Sequence, residues 1–232
     1  GLIYVLQPPM SVALGMALVA ACPGGNVSNF AVHLSKGNTA LSVTLTSVST
    51  IAAIITTPVI FSIVVKFLPG ADALAKEIAV SPGQMLGSIV QLILIPLLAG
   101  MALAYRFPQF TDRIRRPVRI LSLVVFIAFI IVAIAANLEN IYQHLSLVFF
   151  IVLIHNGLAL LTGYNFARLF GLPVTDARAI SLETGIQNSG LGLILIFNYF
   201  DGMGGMAMIA AWWGVWHLVS AFALAMWWGR RI

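Results

Sequence analysis

Charged residues are scarce in this chain. Only 8% of the 232 residues are charged, whereas 60% are hydrophobic and the mean hydropathy is +1.02. Soluble domains carry about 25% charged residues, so this composition excludes an ordinary soluble fold. It is typical of an all-α protein that crosses a membrane several times, because a helix satisfies its own backbone hydrogen bonds in lipid.

Residues that other functions need are also few. The single cysteine, Cys22, cannot form an internal disulfide, and the histidines at 33, 144, 155 and 217 lack the spacing of a metal site. No nucleophile and base fall at one predicted membrane depth, which disfavours an intramembrane enzyme. The net charge of +5 arises from lysines and arginines in predicted loops, so we expect no nucleic-acid partner.

The apolar sequence divides into seven predicted spans, and the second is expected to bend near Pro58. Residues 69–80 and the arginine-rich stretch 106–119 are predicted as loops, and 137–143 as a turn. If the C-terminus lies in the cytoplasm, all lysines and arginines except Lys66 and Lys76 fall on the cytoplasmic side of the membrane. This distribution predicts an integral membrane protein with a cytoplasmic C-terminus. The spans cover about residues 9–35, 38–67, 81–105, 118–136, 144–169, 174–200 and 206–228.

The start of the sequence suggests an N-terminally incomplete chain. Gly1 is not a methionine, and the predicted orientation places it outside without a visible signal sequence. Five spans from about residue 81 onward form one repeat, and only two precede them. If the two repeats are equal, we expect three further helices upstream and ten in all.

Two of the predicted spans are broken by polar, glycine-containing stretches, at 22–29 and 183–190. Proline and glycine allow the backbone to leave the helix, which exposes half-helix ends. Two such breaks in corresponding positions of two halves indicate an inverted-repeat transporter with its site at the breaks. A hydroxyl-rich helix follows the first break, with Ser42, Thr46 and Ser49 on one face. That stripe also fits simple hydrogen bonding between helices.

Glu183 is the one acid that we place in the interior of a predicted span, since Asp176 lies at the start of the sixth. Burying a carboxylate at that depth costs at least ~2.5 kcal/mol. Thr184, Gln187 and Asn188 offer nearby oxygens, so we predict a cation site near the bilayer midplane. A protonated, structural Glu183 is the alternative, with Gln187 and Asn188 satisfying the broken backbone.

Three motifs in order resemble the bile acid:sodium symporter family, in its bacterial form. They are Ala-Cys-Pro-Gly-Gly-Asn-Val-Ser-Asn at 21–29, Asn-Thr-Ala-Leu-Ser-Val-Thr-Leu-Thr-Ser-Val-Ser-Thr at 38–50, and Glu-Thr-Gly-Ile-Gln-Asn at 183–188. The resemblance implies ten helices in two inverted repeats, with two crossing broken helices in a core domain and a panel domain that moves against it. It also implies that two sodium ions are coupled to the uptake of an organic anion, and the bacterial form implies the bacterial inner membrane.

The resemblance assigns domains and sites to this sequence. Residues 1–78 and 140–232 become the core-domain ends of the first and second repeats, and 79–139 becomes a panel-type helix pair. By this resemblance, the first sodium site would consist of Ser28, Asn29, Ser42, Thr46 and Glu183. The second sodium site would consist of Glu183, Thr184, Ile186 and Gln187. The resemblance implies one further ligand of this site, a glutamine upstream of this chain. The residues that match the family's substrate contacts are Asn26, Asn188 and His217. Asn26 departs from the small residue that family members usually have at this position.

We therefore expect a sodium-coupled symporter of a small organic anion, either bile-acid-like or pantoate- or keto-acid-like. Proton coupling through Glu183 or His217 is an alternative. An ion channel is another, although the predicted third and fourth spans lack the continuous polar stripe that a channel needs. The sequence leaves the substrate and the oligomeric state open.

Overall fold

The computed structural model describes residues 1–68, 82–135 and 138–230, and this part of the chain is predominantly helical. A π-helical turn, Val90–Leu94, joins two of the helices without a break. The all-α prediction is therefore confirmed. The helices are α1 Leu2–Leu6, α2 Met10–Ala21, α3 Val27–Leu34, α4 Thr39–Lys66, α5 Pro82–Ile89, α6 Ile95–Arg106, α7 Pro108–Ala135, α8 Leu138–Leu169, α9 Val174–Gly185, α10 Ser189–Tyr199 and α11 Gly204–Gly229.

Among the described residues, four segments are long and apolar enough to cross a membrane: Thr39–Lys66, Gly83–Arg106, Ser146–Leu169 and Gly204–Gly229. Their outer faces carry exposed large apolar side chains, which suit contact with lipid rather than water. The apolar half-helices α2 and α10 are shorter than a span. These features fit an integral membrane protein, while the seven-span count and the cytoplasmic C-terminus stay predictions.

Some predicted boundaries were wrong. The arginine-rich stretch predicted as a loop is helical, because α7 begins at Pro108. Proline suits the first position of a helix and arginine is a good helix former, and the helix continues through Pro117. The predicted turn at 137–143 is also wrong, since α8 begins at Leu138. The predicted loop at 69–80 lies outside the described residues.

Two local features shape the first half. Lys36, which follows the end of α3, takes the left-handed conformation, with φ 54°. The N–H of Gly37 then donates to the carbonyl of Val32, which closes the helix end. Helix α4 continues through Pro58 as one element to Lys66, and the bend expected near Pro58 stays a prediction.

Helix α2 lies at the centre of the core. Its residues from Val12 to Val19 are buried, and it packs against α4 and α11. Gly15 permits a close approach to α11, because a Cβ there would lie 2.8 Å from the Cα of Met206. Small residues at such contacts are the usual means of packing helices in membranes, where burial of apolar surface gives no driving force.

The start of α9 is bound to the connection between α3 and α4. The buried guanidinium of Arg178 donates to the carbonyl of Ser35 at 2.6 Å and lies over the ring of Trp228. Nearby, the Asn38 side chain donates to Asp176 and its backbone N–H donates to the carbonyl of Thr175. These contacts fix α3 and α9 relative to each other before the two helices reach their breaks.

Replacing Arg178 with methionine should lower the free energy of unfolding in detergent by about 1–3 kcal/mol, because the buried Ser35 carbonyl loses its donor. Thermal unfolding monitored by circular dichroism measures this. The control is Arg168→Met, since exposed Arg168 binds only the carbonyl of Leu172. Equal stability of both variants would contradict a structural role for the buried contact.

Candidate functional site

The two breaks in the helices pair with each other. The N–H of Gly25 donates to the carbonyl of Ile186 at 2.9 Å, and the N–H of Asn188 donates to that of Pro23 at 2.8 Å. Gly24 and Gln187 form an antiparallel bridge between them. Each break thus supplies the hydrogen-bond partners that the other lacks, which is what non-helical backbone requires at membrane depth.

Glycine is required where the breaks meet. A Cβ on Gly24 would lie 2.5 Å from Oε1 of Glu183, and one on Gly25 would lie 3.2 Å from the carbonyl oxygen of Gln187. A side chain at Gly24 would have to displace the carboxylate, so Gly24 permits Glu183 to lie directly against the first break.

An oxygen cluster surrounds Glu183. Its Oε2 accepts hydrogen bonds from Ser28 at 2.5 Å and from Ser42 at 3.2 Å, and its Oε1 accepts one from Thr46 at 2.6 Å. The side-chain Oδ1 of Asn29 lies 2.8 Å from the Ser42 hydroxyl and 3.3 Å from that of Thr46. Helices α3, α4 and α9 therefore bring together two carboxylate oxygens, three hydroxyls and one amide oxygen.

This cluster has more acceptors than protons. The single proton of the Thr46 hydroxyl can go to Glu183, to Asn29 or to the carbonyl of Ser42. Glu183 is only 8% exposed, and it forms no salt bridge within the described residues. A buried, oxygen-rich site of negative charge favours a hard cation over a transition metal, which prefers imidazole or thiolate ligands.

The four residues of the predicted second site lie together but do not form a closed shell. Gln187 donates to the carbonyl of Thr184 at 3.1 Å, and the Thr184 hydroxyl donates to the carbonyl of Ile180. The carbonyl of Ile186 accepts a hydrogen bond from the N–H of Gly25 in the first break. Oε1 of Gln187 is buried and has no hydrogen-bond partner among the described residues.

A cavity of about 550 Å³ opens beside this second group. Glu183 and Thr184 line it from α9, Gln187 lines it from the break that follows, and Ser49 and Thr56 line it from α4. The cavity therefore places one carboxylate, several hydroxyls and an amide around one space.

The three predicted substrate residues are not gathered around that cavity. The Asn188 side chain accepts from the N–H of Leu191 and so caps α10, while Asn26 is exposed before α3. His217 is buried in α11, and its Nδ1 has no partner among the described residues. None of the three is among the residues that line the cavity. Their substrate role stays a prediction.

Asn156 supports the crossing, which is the place where the two helix breaks pair. No sequence motif marks this role of Asn156. Its Nδ2 donates to the carbonyl of Gly185 at 2.8 Å, and its Oδ1 accepts from the hydroxyl of Ser220 at 2.6 Å. The side chain is 1% exposed. Helix α8 thus satisfies the last carbonyl of α9 and joins it to α11. The only sequence signal is one amide in the middle of an apolar helix.

Replacing Asn156 with leucine should destabilise the protein by about 1–3 kcal/mol, because the Gly185 carbonyl and the Ser220 hydroxyl both lose a buried partner. Thermal unfolding in detergent measures the change. Asn165→Leu on the exposed side of the same helix is the control. An Asn156 variant as stable as the control would show that the break does not depend on α8.

Comparison with known proteins agrees with this architecture. The model of the sodium bile acid symporter family matches residues 2–144. The uncharacterized sodium-dependent transporter YocS of Bacillus subtilis (strain 168) is 35% identical over 233 residues, which cover 100% of this chain and 69% of YocS. The probable chloroplastic sodium/metabolite cotransporter BASS1 of Arabidopsis thaliana is 33% identical over 199 residues.

That alignment covers 84% of this chain and 47% of the Arabidopsis protein, so the chain spans about half the length of this plant relative. The probable chloroplastic cotransporter BASS2 of Oryza sativa subsp. japonica is 32% identical, over 81% of this chain and 43% of its own length. All three relatives are named as transporters, in agreement with the prediction that the chain is not an enzyme. The chain belongs to the sodium bile acid symporter family.

Proposed function

We propose that this protein couples the inward movement of sodium ions to the uptake of a small organic anion by alternating access. The observation that carries the proposal is the oxygen cluster around Glu183 at the point where the two broken helices cross. It provides a cation site built from three separate helices.

The first sodium ion would bind to Ser28, Asn29, Ser42, Thr46 and Glu183. The hydroxyls now point their protons at the carboxylate and the amide oxygen. An ion among them would let each hydroxyl rotate and present a lone pair instead. Because the ligands come from α3, α4 and α9, a bound ion favours the conformations in which these helices are close together.

The second ion would lie between Glu183 and Gln187. The unpartnered Oε1 of Gln187 and the carbonyls of Thr184 and Ile186 supply oxygens on the side of the cavity. Each carbonyl already accepts one hydrogen bond and has a second lone pair available. Oxygens beyond these four residues would complete the shell. Both ions would then share Glu183, which couples the two sites electrostatically.

The organic anion would bind between the core and the panel helices. An apolar groove of about 360 Å³ lies between α7 and α10, with Leu121 and Val125 on one side and Leu193 and Ile194 on the other. The groove reaches Gly190, two residues beyond Asn188. The apolar body of the anion would lie in the groove, with its charge toward Asn188 and the N-terminal end of α10. Asn26 and His217 would complete the predicted substrate set.

The groove also supports the proposed division into domains. Helix α7 belongs to the predicted panel, residues 79–139, whereas α10 belongs to the core segment 140–232. A movement of the panel against the core would change the width of the groove while the hydrogen-bonded crossing stays intact. The antiparallel arrangement of the two breaks suits inverted repeats. This arrangement and the groove between panel and core favour alternating access. The substrate would be bile-acid-like, or smaller and resemble pantoate or a keto acid.

Replacing Glu183 with glutamine should abolish sodium-driven uptake and the thermal stabilisation by sodium, because the site loses its only charge. Uptake of an organic-anion panel into proteoliposomes and melting curves in sodium or choline chloride measure both effects. The control is Asp201→Asn, which removes an exposed carboxylate. Uptake by the unmodified protein that needs no sodium and follows a proton gradient would instead support proton coupling through Glu183 or His217.

Replacing Ser42 with alanine and Thr46 with valine should weaken sodium affinity about tenfold or more, because the ion loses two oxygen ligands. Sodium titrations followed by thermal shift measure the affinity. Thr44→Val with Ser47→Ala is the matched control, since these exposed hydroxyls bind only carbonyls of their own helix. An unchanged titration for the Ser42 and Thr46 variant would remove α4 from the site.

A further inference from the structure

The first turns of α7 form a basic helix where the sequence alone predicts a loop. We call Pro108–Arg119 the basic segment. Four arginines fall within it, and Asp112 is its single acid. From Ile120 to Ala135 the same helix contains no charged residue. The basic segment therefore lies at the end of an apolar helix. Its arginines are Arg113, Arg115, Arg116 and Arg119.

The helical conformation separates apolar from basic residues around the axis. Phe110, Ile114 and Val118 follow one another at intervals of four, so they lie along one side. At about 100° per residue, Arg115, Arg116 and Arg119 project from the opposite side. An amphipathic helix with arginines on its polar face and large apolar residues on the other is typical of a membrane interface.

The charge of this face is largely unbalanced. Asp112 pairs with Arg115 at 3.2 Å, and both side chains are about two-thirds exposed, at 68% and 67%. No other salt bridge is formed within the part of the chain that the structure describes. All four arginines are exposed, so their guanidinium groups are accessible from outside. The N-terminal end of α7 adds a further partial positive charge.

These observations select one kind of partner. The sequence predicts a membrane span over residues 118–136, which would place the arginines where this apolar helix leaves the hydrocarbon, at the level of the lipid phosphates. A guanidinium presents paired donors that match two phosphate oxygens, and clusters of four or more arginines beside a membrane helix attract anionic lipids. We propose that the basic segment of α7 is a binding surface for the headgroups of anionic phospholipids. This inference does not depend on the transported substrate or on the sodium sites.

The proposal can be tested with a fluorescent probe beside the arginines. The native Cys22 is buried, so a cysteine at exposed Gln109 can be labelled selectively with bimane. The labelled protein is reconstituted into phosphatidylcholine vesicles that contain brominated phosphatidylglycerol or brominated phosphatidylcholine in both leaflets. Quenching by each lipid gives their relative affinities at this surface. We expect a preference of about threefold to tenfold for phosphatidylglycerol at low ionic strength, which falls as salt is added.

Matched variants separate charge from other effects. Changing the four arginines to glutamine should reduce the preference to about one, whereas changing them to lysine should retain most of it, because charge supplies most of the attraction. Since both leaflets contain the quencher, a change of orientation in the membrane cannot imitate the loss. The charge-matched control changes four exposed cations elsewhere to glutamine and should keep the full preference. These cations are Lys36, Lys66, Arg168 and Arg230.

Three results would overturn the proposal. The first is equal quenching by the two lipids in the unmodified protein. The second is a preference that survives the change of all four arginines to glutamine. The third is displacement of phosphatidylglycerol by inorganic phosphate at constant ionic strength, which would identify a site for a free anion rather than for a lipid.

Discussion

The architecture depends on the backbone hydrogen bonds between the two helix breaks. An unpaired N–H or C=O group in a lipid-embedded core costs several kcal/mol, so neither break is stable alone. Gly25 with Ile186, and Asn188 with Pro23, satisfy each other across the crossing. Because the pairing fixes the ends of α2, α3, α9 and α10 at one point, every functional side chain near the breaks takes its position from it.

The position of Glu183 follows from this pairing. The carboxylate lies against Gly24, where a side chain would have to displace it, and it faces the hydroxyls of α4. Burial of the carboxylate is offset by three hydroxyl donors rather than by a basic partner within the described residues. Such a site keeps its negative charge available for an incoming cation, whereas a salt bridge would cancel it. This is the physical reason to relate the structure to sodium coupling.

The surrounding helices hold the crossing from two directions. Arg178 and Asn38 join the start of α9 to the α3–α4 connection, and Asn156 binds the carbonyl of Gly185 where α9 ends. Helix α7 packs against α6, α8 and α11, and it carries the groove on its apolar part and the basic segment at its beginning. The hydrogen bonds that hold the crossing therefore lie in the core helices and do not involve the groove on α7.

The sequence by itself determined the all-α membrane class, the two helix breaks and the residues around Glu183. Apolar composition, proline with glycine, and a lone acid in an apolar run each have direct physical consequences in lipid. Only the tertiary structure decided the pairing between the breaks, the role of Asn156 and the helical form of residues 108–119. The partners of Asn156, Gly185 and Ser220, are 29 and 64 residues away along the chain, so no local pattern reveals them. The arginines of α7 were predicted as a loop because charge ends a membrane span, but charge does not end a helix.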